Sequence, residues 1–371
     1  MSDNRIIPIV MPKWGLSMSE GKLTSWLMKD GDKVTIGDQI LEVETDKIAG
    51  TVEASDAGIL RRRIGQEDTV YPIKTLIGVV ADPDVPDADI DVFVSSYVVP
   101  AAEEGEEEAG PRYEFADTAV GRLRYTKRGT ADNAVLLIHG FGGDLDNWLF
   151  NAEALSENAT VYALDLPGHG QSTKSVPEPT VAGLAKAVLA FMDTVKIDKA
   201  HLVGHSLGGG VAIEVAREAK GRVKSLTLIN SAGLGPDINM DYIDGFISST
   251  SRRDLKPALE NLFADGSLVS RQMVDDLLKY KRLDGVGDAL TALREGIFTN
   301  GKQATNLSNA LKSAGVPVLV IAGAEDKIIP LAHAKGVTGA KVEVIEGAGH
   351  MPQMEQAGKV NALIKAHITG S

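Results

Sequence analysis

Ala200-His201-Leu202-Val203-Gly204-His205-Ser206-Leu207-Gly208-Gly209-Gly210-Val211-Ala212-Ile213 joins an apolar run, a serine between two glycines and a helix-like continuation. A bare G-x-S-x-G carries little information, because three fixed positions recur by chance. Here it stands between strand-like and helix-like sequence, the strand–turn–helix context that a nucleophile elbow needs. Glycine at 204 and 208 removes Cβ atoms that would obstruct a sharp turn, and the serine is forced into a strained, exposed conformation. A helix starting there aims N–H groups and its positive dipole end at developing negative charge. The stretch predicts a nucleophile, Ser206, on a parallel sheet.

Working outward, the chain from Tyr113 alternates short apolar runs with helical periodicity. Residues 135–138, 161–164, 201–204, 226–229, 318–321 and 342–345 read as buried parallel strands. Residues 181–195, 209–219 and 356–367 read as helices. Alternation of this kind predicts a doubly wound, mostly parallel sheet over 112–371. A charged helical insertion at about 236–311 is expected to form a cap over the sheet.

A serine hydroxyl needs a base, and in such sheets the chain order is serine, acid, histidine, on loops after late strands. Asp326 lies 120 residues beyond the serine and His350 a further 24 along, each just past an apolar run. Glu325 is the competing acid. His139-Gly140-Phe141-Gly142-Gly143 follows the first core strand, so the Phe141 and Leu207 N–H groups are the expected oxyanion donors. His139 is expected to be structural, and Asp165 to Gly170 a loop-folding sequence in which neither Asp165 nor His169 is catalytic. His205 either packs under the cap or lines the pocket. His201, His333 and His367 read as core or surface residues.

Residues 1–82 follow a different pattern. Gly21-Lys22-Leu23 matches Gly58-Ile59-Leu60 at an offset of 37, and after a one-residue slip Val34, Ile40, Leu41 and Val43 match Val70, Leu76, Ile77 and Val79. β-rich segments at 6–10, 21–27, 39–44, 50–53, 58–64 and 76–80 are separated by turns such as Lys29-Asp30-Gly31-Asp32. Two similar halves, each unable to bury a face alone, predict a flattened β-sandwich. Lys47, in Val43-Glu44-Thr45-Asp46-Lys47-Ile48-Ala49, falls where the halves meet and the chain reverses. In isolation it would be an ordinary hairpin lysine. Residues 83–111 hold Pro83, Pro86, Pro100, Pro111 and the run Glu103-Glu104-Gly105-Glu106-Glu107-Glu108, and read as an extended linker. The apolar segment 90–99 inside it is a strand or a short helix docking on a neighbour.

Length and composition set outer bounds. A chain of 371 residues exceeds one typical core, and 43% apolar with 24% charged residues is ordinary for globular protein. A net charge of −13 argues against non-specific binding to nucleic acid or anionic membranes. The apolar runs are too short for a transmembrane helix, Met1-Ser2-Asp3-Asn4-Arg5 lacks a signal pattern, and cysteine is absent. The expectation is a cytoplasmic protein without disulfides or a metal site.

Met11-Pro12, Gly15, Glu20-Gly21, Gly31-Asp32, Val34, Gly37-Asp38, Glu42-Val43-Glu44-Thr45-Asp46-Lys47 and Gly58 resemble the pattern of a biotinyl/lipoyl domain. Asp46 and Ile48 flank the lysine where biotin carriers usually show methionine, which favours lipoyl. The resemblance implies lipoate on Lys47, with Glu44 and Asp46 recognised by the attaching enzyme and by partner enzymes. Residues 113–371, with serine, acid and histidine positions all filled, resemble an α/β-hydrolase domain. The fusion resembles the dihydrolipoyl acetyltransferase component of acetoin-cleaving systems. The H-x-x-x-D-G mark of other dihydrolipoyl acyltransferases is not found. This likeness implies acetyl transfer from lipoyl-Lys47 through Ser206 to coenzyme A. It also implies a thiamine-diphosphate-dependent acetoin-cleaving enzyme, a flavin-dependent dihydrolipoyl dehydrogenase and a lipoate-attaching enzyme as partners. Two rival readings are a thioesterase that discharges the arm to water, and a lipoyl carrier or scaffold with a non-catalytic hydrolase-like domain.

Overall fold

The computed structural model describes residues 5–12, 18–35, 38–45, 49–54, 56–99 and 113–370. Lys47 and the acidic run at 103–108 lie outside the described residues. The chain divides into two compact units, Met1–Pro111 and Arg112–Ser371.

In the first unit β1 (Ile6–Val10), β2 (Glu20–Trp26), β3 (Lys33–Val34), β4 (Gln39–Glu44), β5 (Ala49–Glu53), β6 (Gly58–Arg63), β7 (Thr69–Pro72) and β8 (Leu76–Ala81) form two sheets. Their orders are β1-β8-β6-β3 and β5-β4-β2-β7, so each sheet takes two strands from each half of the repeat. Neither half has a complete sheet of its own, which is the physical content of the repeat. Leu23, Val34, Ile40, Leu41, Val43, Leu60, Ile77 and Val80 fill the space between the sheets. The short strands β3 and β7 are additions to the sequence reading.

The apolar segment at 90–99 resolves largely as a helix, α1 (Asp87–Ser96). Ile90 is fully buried among Ile6, Leu76, Val79, Ala81 and Val85, with Phe93, Val94 and Tyr97 packed around them. Asp87 and Asp91 pair with Arg61 and Arg62 of β6. The helix therefore covers the side of β8 that misses the sandwich core, and all six β8 residues are buried.

The second unit carries β9 (Glu114–Thr118), β10 (Gly121–Arg128), β11 (Ala134–Ile138), β12 (Thr160–Leu164), β13 (Ala200–His205) and β14 (Val223–Ile229). Helices α2 (Leu149–Ser156), α3 (Val181–Thr194) and α4 (Leu207–Glu218) alternate with them. The insertion after β14 comprises α5 (Met240–Ser248), α6 (Arg252–Glu260), α7 (Arg271–Lys281), α8 (Val286–Ile297), a small hairpin of β15 (Phe298–Thr299) and β16 (Lys302–Gln303), and α9 (Ser308–Ser313). The chain then completes the sheet with β17 (Val318–Gly323) and β18 (Lys341–Ile345), and adds α10 (Leu331–Lys335), α11 (Pro352–Glu355) and α12 (Ala357–Thr369).

The eight-stranded sheet has the order β18-β17-β14-β13-β11-β12-β10-β9. Strands β11 to β14, β17 and β18 run parallel, and β9 and β10 are antiparallel additions at one edge. Leu136 and Ile138 join the cluster containing residues of α3 and α4, while Val135 and Leu137 join Trp148, Leu155, Val360 and Ile364 on the other face. Burial on both faces explains why these strands are continuous apolar runs. β11 lies between β12 and β13, so the connections diverge there and open a crevice at the strand carboxyl ends. Ser206 stands at that point. Among the described residues no helix is long and apolar enough to cross a membrane.

Candidate active site

Ser206 is the N-cap residue of α4, with φ 51° and ψ −119°. A non-glycine residue in the positive-φ region costs about 1–3 kcal/mol and persists only when its surroundings over-determine it. The surroundings do so here. The Ser206 N–H donates to Ile229 O (2.9 Å), and the Ser206 carbonyl accepts from Gly209 N (2.9 Å) and Ala232 N (2.9 Å). A Cβ on Gly204 would lie 2.3 Å from the Gly208 carbonyl oxygen, and one on Gly208 would lie 2.2 Å from the Ile138 carbonyl oxygen. Both motif glycines are thus required by close backbone approach.

His350 and Asp326 meet, with His350 Nδ1 2.8 Å from Asp326 Oδ2. Their side chains are 3% and 1% exposed, so the bond is shielded from water. Asp326 Oδ1 accepts the N–H groups of Ile328 (2.7 Å) and Ile329 (3.0 Å), which fixes the carboxylate. With a carboxylate as its partner Nδ1 is the donor of this bond, and Nε2 is the ring nitrogen that the bond leaves unused. Glu325, the competing acid, instead accepts from Gly347 N. His205, beside the serine, lines up with His350: its Nε2 donates to the His350 carbonyl (2.7 Å) and the two rings are 4.8 Å apart. Burial, then the neighbouring His350, hold the His205 pKa well below the usual histidine range, so it is a neutral donor. His205 thus supports His350, a role that neither sequence reading, packing under the cap or lining the pocket, gives it. Among the described residues no hydrogen bond joins the Ser206 hydroxyl to His350.

The Phe141 and Leu207 N–H groups have no hydrogen-bond partner among the described residues. A Cβ on Gly140 would lie 3.0 Å from the Ser206 Cβ, so the loop after β11 reaches the elbow. The Phe141 ring packs edge-on against Phe246 and Phe298 of the insertion. Below it, His139 is fully buried, close to Gly140 O through Nδ1 and accepting from Leu166 N through Nε2. Asp165 accepts from Arg124 Nε, Leu145 N and Gln171 N, and His169 packs against His139. These residues shape the loops. His201 bonds Ser225 and Asn133, and His367 bonds Leu226 O.

Sequence reasoning does not single out Asn230, the residue after β14. It adopts φ +42°, donates through Nδ2 to Gly349 O (2.9 Å) and accepts Gly323 N–H on Oδ1 (3.0 Å). One side chain therefore ties the end of the strand that leads to Asp326 to the residue preceding His350. An asparagine directly after the strand beyond the elbow was the available signal, since this residue type tolerates left-handed backbone.

In the first unit β4 and β5 pair antiparallel with Glu44 opposite Ala49. Glu44 is exposed. Lys47 belongs to the connection between these strands by sequence, outside the described residues.

Comparison with known proteins covers both units. The α/β-hydrolase fold family matches residues 133–357, and the family described as biotin-requiring enzyme matches residues 7–75. Over 98% of both chains, the sequence is 54% identical to the dihydrolipoyllysine-residue acetyltransferase component of the acetoin cleaving system of Cupriavidus necator. It is 44% identical to the Pseudomonas putida protein of the same description, over 98% of this chain and 99% of that one. Among solved structures, a meta-cleavage product hydrolase from Pseudomonas fluorescens aligns with TM-score 0.64 at 23% identity, over 69% of this chain and 97% of that one. A carboxylesterase from Bacillus subtilis aligns with TM-score 0.61 at 23% identity, over 70% and 92%. These structures share the fold.

Proposed function

The chain belongs to the family of dihydrolipoyllysine-residue acetyltransferase components of acetoin cleaving systems, and from that premise we propose that Ser206, His350 and Asp326 carry the transfer as a covalent relay. The observation that carries this reading is the buried His350–Asp326 bond beside a serine held at positive φ on a helix N-terminus.

Lipoate on Lys47 would supply an acyl group as a thioester at the end of a long arm. An antiparallel β4–β5 pair with an exposed carboxylate at its end suits such an attachment point. The Ser206 oxygen attacks the thioester carbon as His350 Nε2 takes its proton. Asp326 fixes the tautomer and stabilises the imidazolium. Phe141 and Leu207 N–H groups stabilise the oxyanion. The carbon–sulfur bond breaks, and the His350 proton passes to the departing sulfur. Coenzyme A then repeats the sequence in reverse: its thiol proton goes to His350, its sulfur attacks the acyl carbon, and Ser206 recovers the proton as the ester bond breaks. The remaining partners are a thiamine-diphosphate-dependent enzyme that loads the arm and a flavin-dependent dehydrogenase that reoxidises it.

The test is product analysis on the lipoylated chain given acetyl-dihydrolipoamide and coenzyme A, with mass spectrometry of Ser206 when coenzyme A is withheld. Acetyl-CoA and an acetylated Ser206 are expected. Acetate as the main product at saturating coenzyme A makes the protein a thioesterase, and an unmodified serine removes the covalent relay.

A further inference from the structure

Glu355 is 6% exposed and lies at the end of α11, five residues past His350. No ion pair engages it among the described residues. Its partners are backbone N–H groups: Oε1 accepts from Gly349 (2.9 Å) and Met351 (3.2 Å), on either side of His350, and Oε2 accepts from Ala264 (2.7 Å) in the insertion. Burial raises its pKa, partly offset by those three bonds and by nearby His350. A buried carboxylate without a cation is a costly way to fill space, so its geometry calls for a role.

The backbone around it points to one. His350 N–H itself donates to Leu262 O (2.8 Å). Lys327, next to Asp326, donates to Phe263 O (3.2 Å). A Cβ on Gly349 would fall 2.6 Å from Ala264 N and 2.7 Å from Phe263 C, so the two loops touch main chain to main chain. Three consecutive insertion residues, 262–264, are fastened to the loops that present the base and the acid. Lifting the insertion here would strip His350 of its backbone partner and leave the Glu355 carboxylate short of a donor.

We propose that Glu355 is a positioning residue that locks segment 262–264 of the insertion to the His350 loop, and that this lock preserves acyl-Ser206 for a thiol by keeping water out. Its second half rests on the acyl-serine reading above. The experiment uses the full lipoylated chain, with Glu355→Gln compared against wild type and against Asn361→Ala. Asn361 joins α12 to α2 through Asn151 and Phe150 O, so its loss weakens packing without touching either loop. Four quantities are measured: kcat and KM with acetyl-dihydrolipoamide, the ratio of acetate to acetyl-CoA, and amide hydrogen exchange.

Glu355→Gln is expected to lower kcat roughly ten- to a hundred-fold, the scale of charge-assisted hydrogen bonds, with little change in KM. The acetate share rises, and exchange at 262–264 and at 349–351 accelerates together. An unchanged acetate share, faster exchange in one loop only, or the same pattern in Asn361→Ala overturns the proposal. If wild type never acylates Ser206, the covalent relay fails on its own account. Joint exchange of the two loops then still decides whether Glu355 is the lock.

Discussion

Strand β2 of the first unit includes an exposed residue and alternates buried with part-buried positions at its start, whereas β11, β12 and β13 of the second have every residue buried. The first pattern belongs to a sheet with one face on a core, the second to a sheet sandwiched by helices. The difference extends to function. On the proposed function, a carrier lysine asks only for a hairpin to hold it. The serine site draws on loops after β11, β13, β14, β17 and β18, and on the insertion above them. Work on the first unit should therefore be all-or-none at one residue, and on the second graded across many.

The largest effects test that division. Ser206→Ala should lower acetyl-CoA formation on the order of 10⁶-fold, as for other serine nucleophiles. Lipoylation of Lys47 and unfolding of the first unit should be unaltered. Lys47→Arg should abolish the lipoyl mass and flux through the assembled system, yet leave turnover of free acetyl-dihydrolipoamide intact. A fall in both assays for Lys47→Arg would erase the distinction. Next comes Asp326→Asn, expected to cost about 10⁴-fold by spoiling the His350 tautomer with little change in KM. Asn230→Ala should cost about ten-fold, because it removes two hydrogen bonds that align the acid and histidine loops rather than a reacting group. A loss as large as that of Asp326→Asn would move Asn230 from support into the reaction itself.

The smallest effect is one of pH. All seven histidines lie in the second unit. Burial is the leading cause that lowers the pKa of His139, His169, His201, His205 and His367, with His201 brought to about 4. A histidine depressed in the fold binds its proton more readily when unfolded. The stability it contributes is complete above about pH 6.5 and is lost as pH falls toward the folded values. Calorimetry between about pH 7 and pH 5 should show the second unit melting at progressively lower temperature while the first shifts little. Equal shifts in both would mean that carboxylates, not histidines, set the acid response.

What sequence discloses follows from the range of the interactions. Strand–helix alternation, the elbow, Asp326 and His350 were readable because each is a local pattern in a fixed chain order. β9 and β10 escaped notice: Arg122, Arg124, Lys127 and Arg128 break up the apolar run of a strand that pairs antiparallel at an edge. The 90–99 segment left strand and helix open because its burial is supplied by Ile6 and Val79, far away in sequence. Asn230 offered only its place directly after β14 as a signal, and Glu355 offered none, since a glutamate there gains meaning only from the backbone groups it reaches.

The exchange of strands between the two halves of the first unit has a practical corollary. A protease that severs the chain between β5 and β6 would leave both sheets fully stocked, held together without a covalent link. Such a nicked species would migrate as fragments under denaturing conditions yet behave as an intact carrier in solution. Expressing either half by itself would leave one paired couple, β2 with β4 or β6 with β8, and two strands without their neighbours. Limited digestion and truncation therefore answer different questions here, and agreement between them should not be expected.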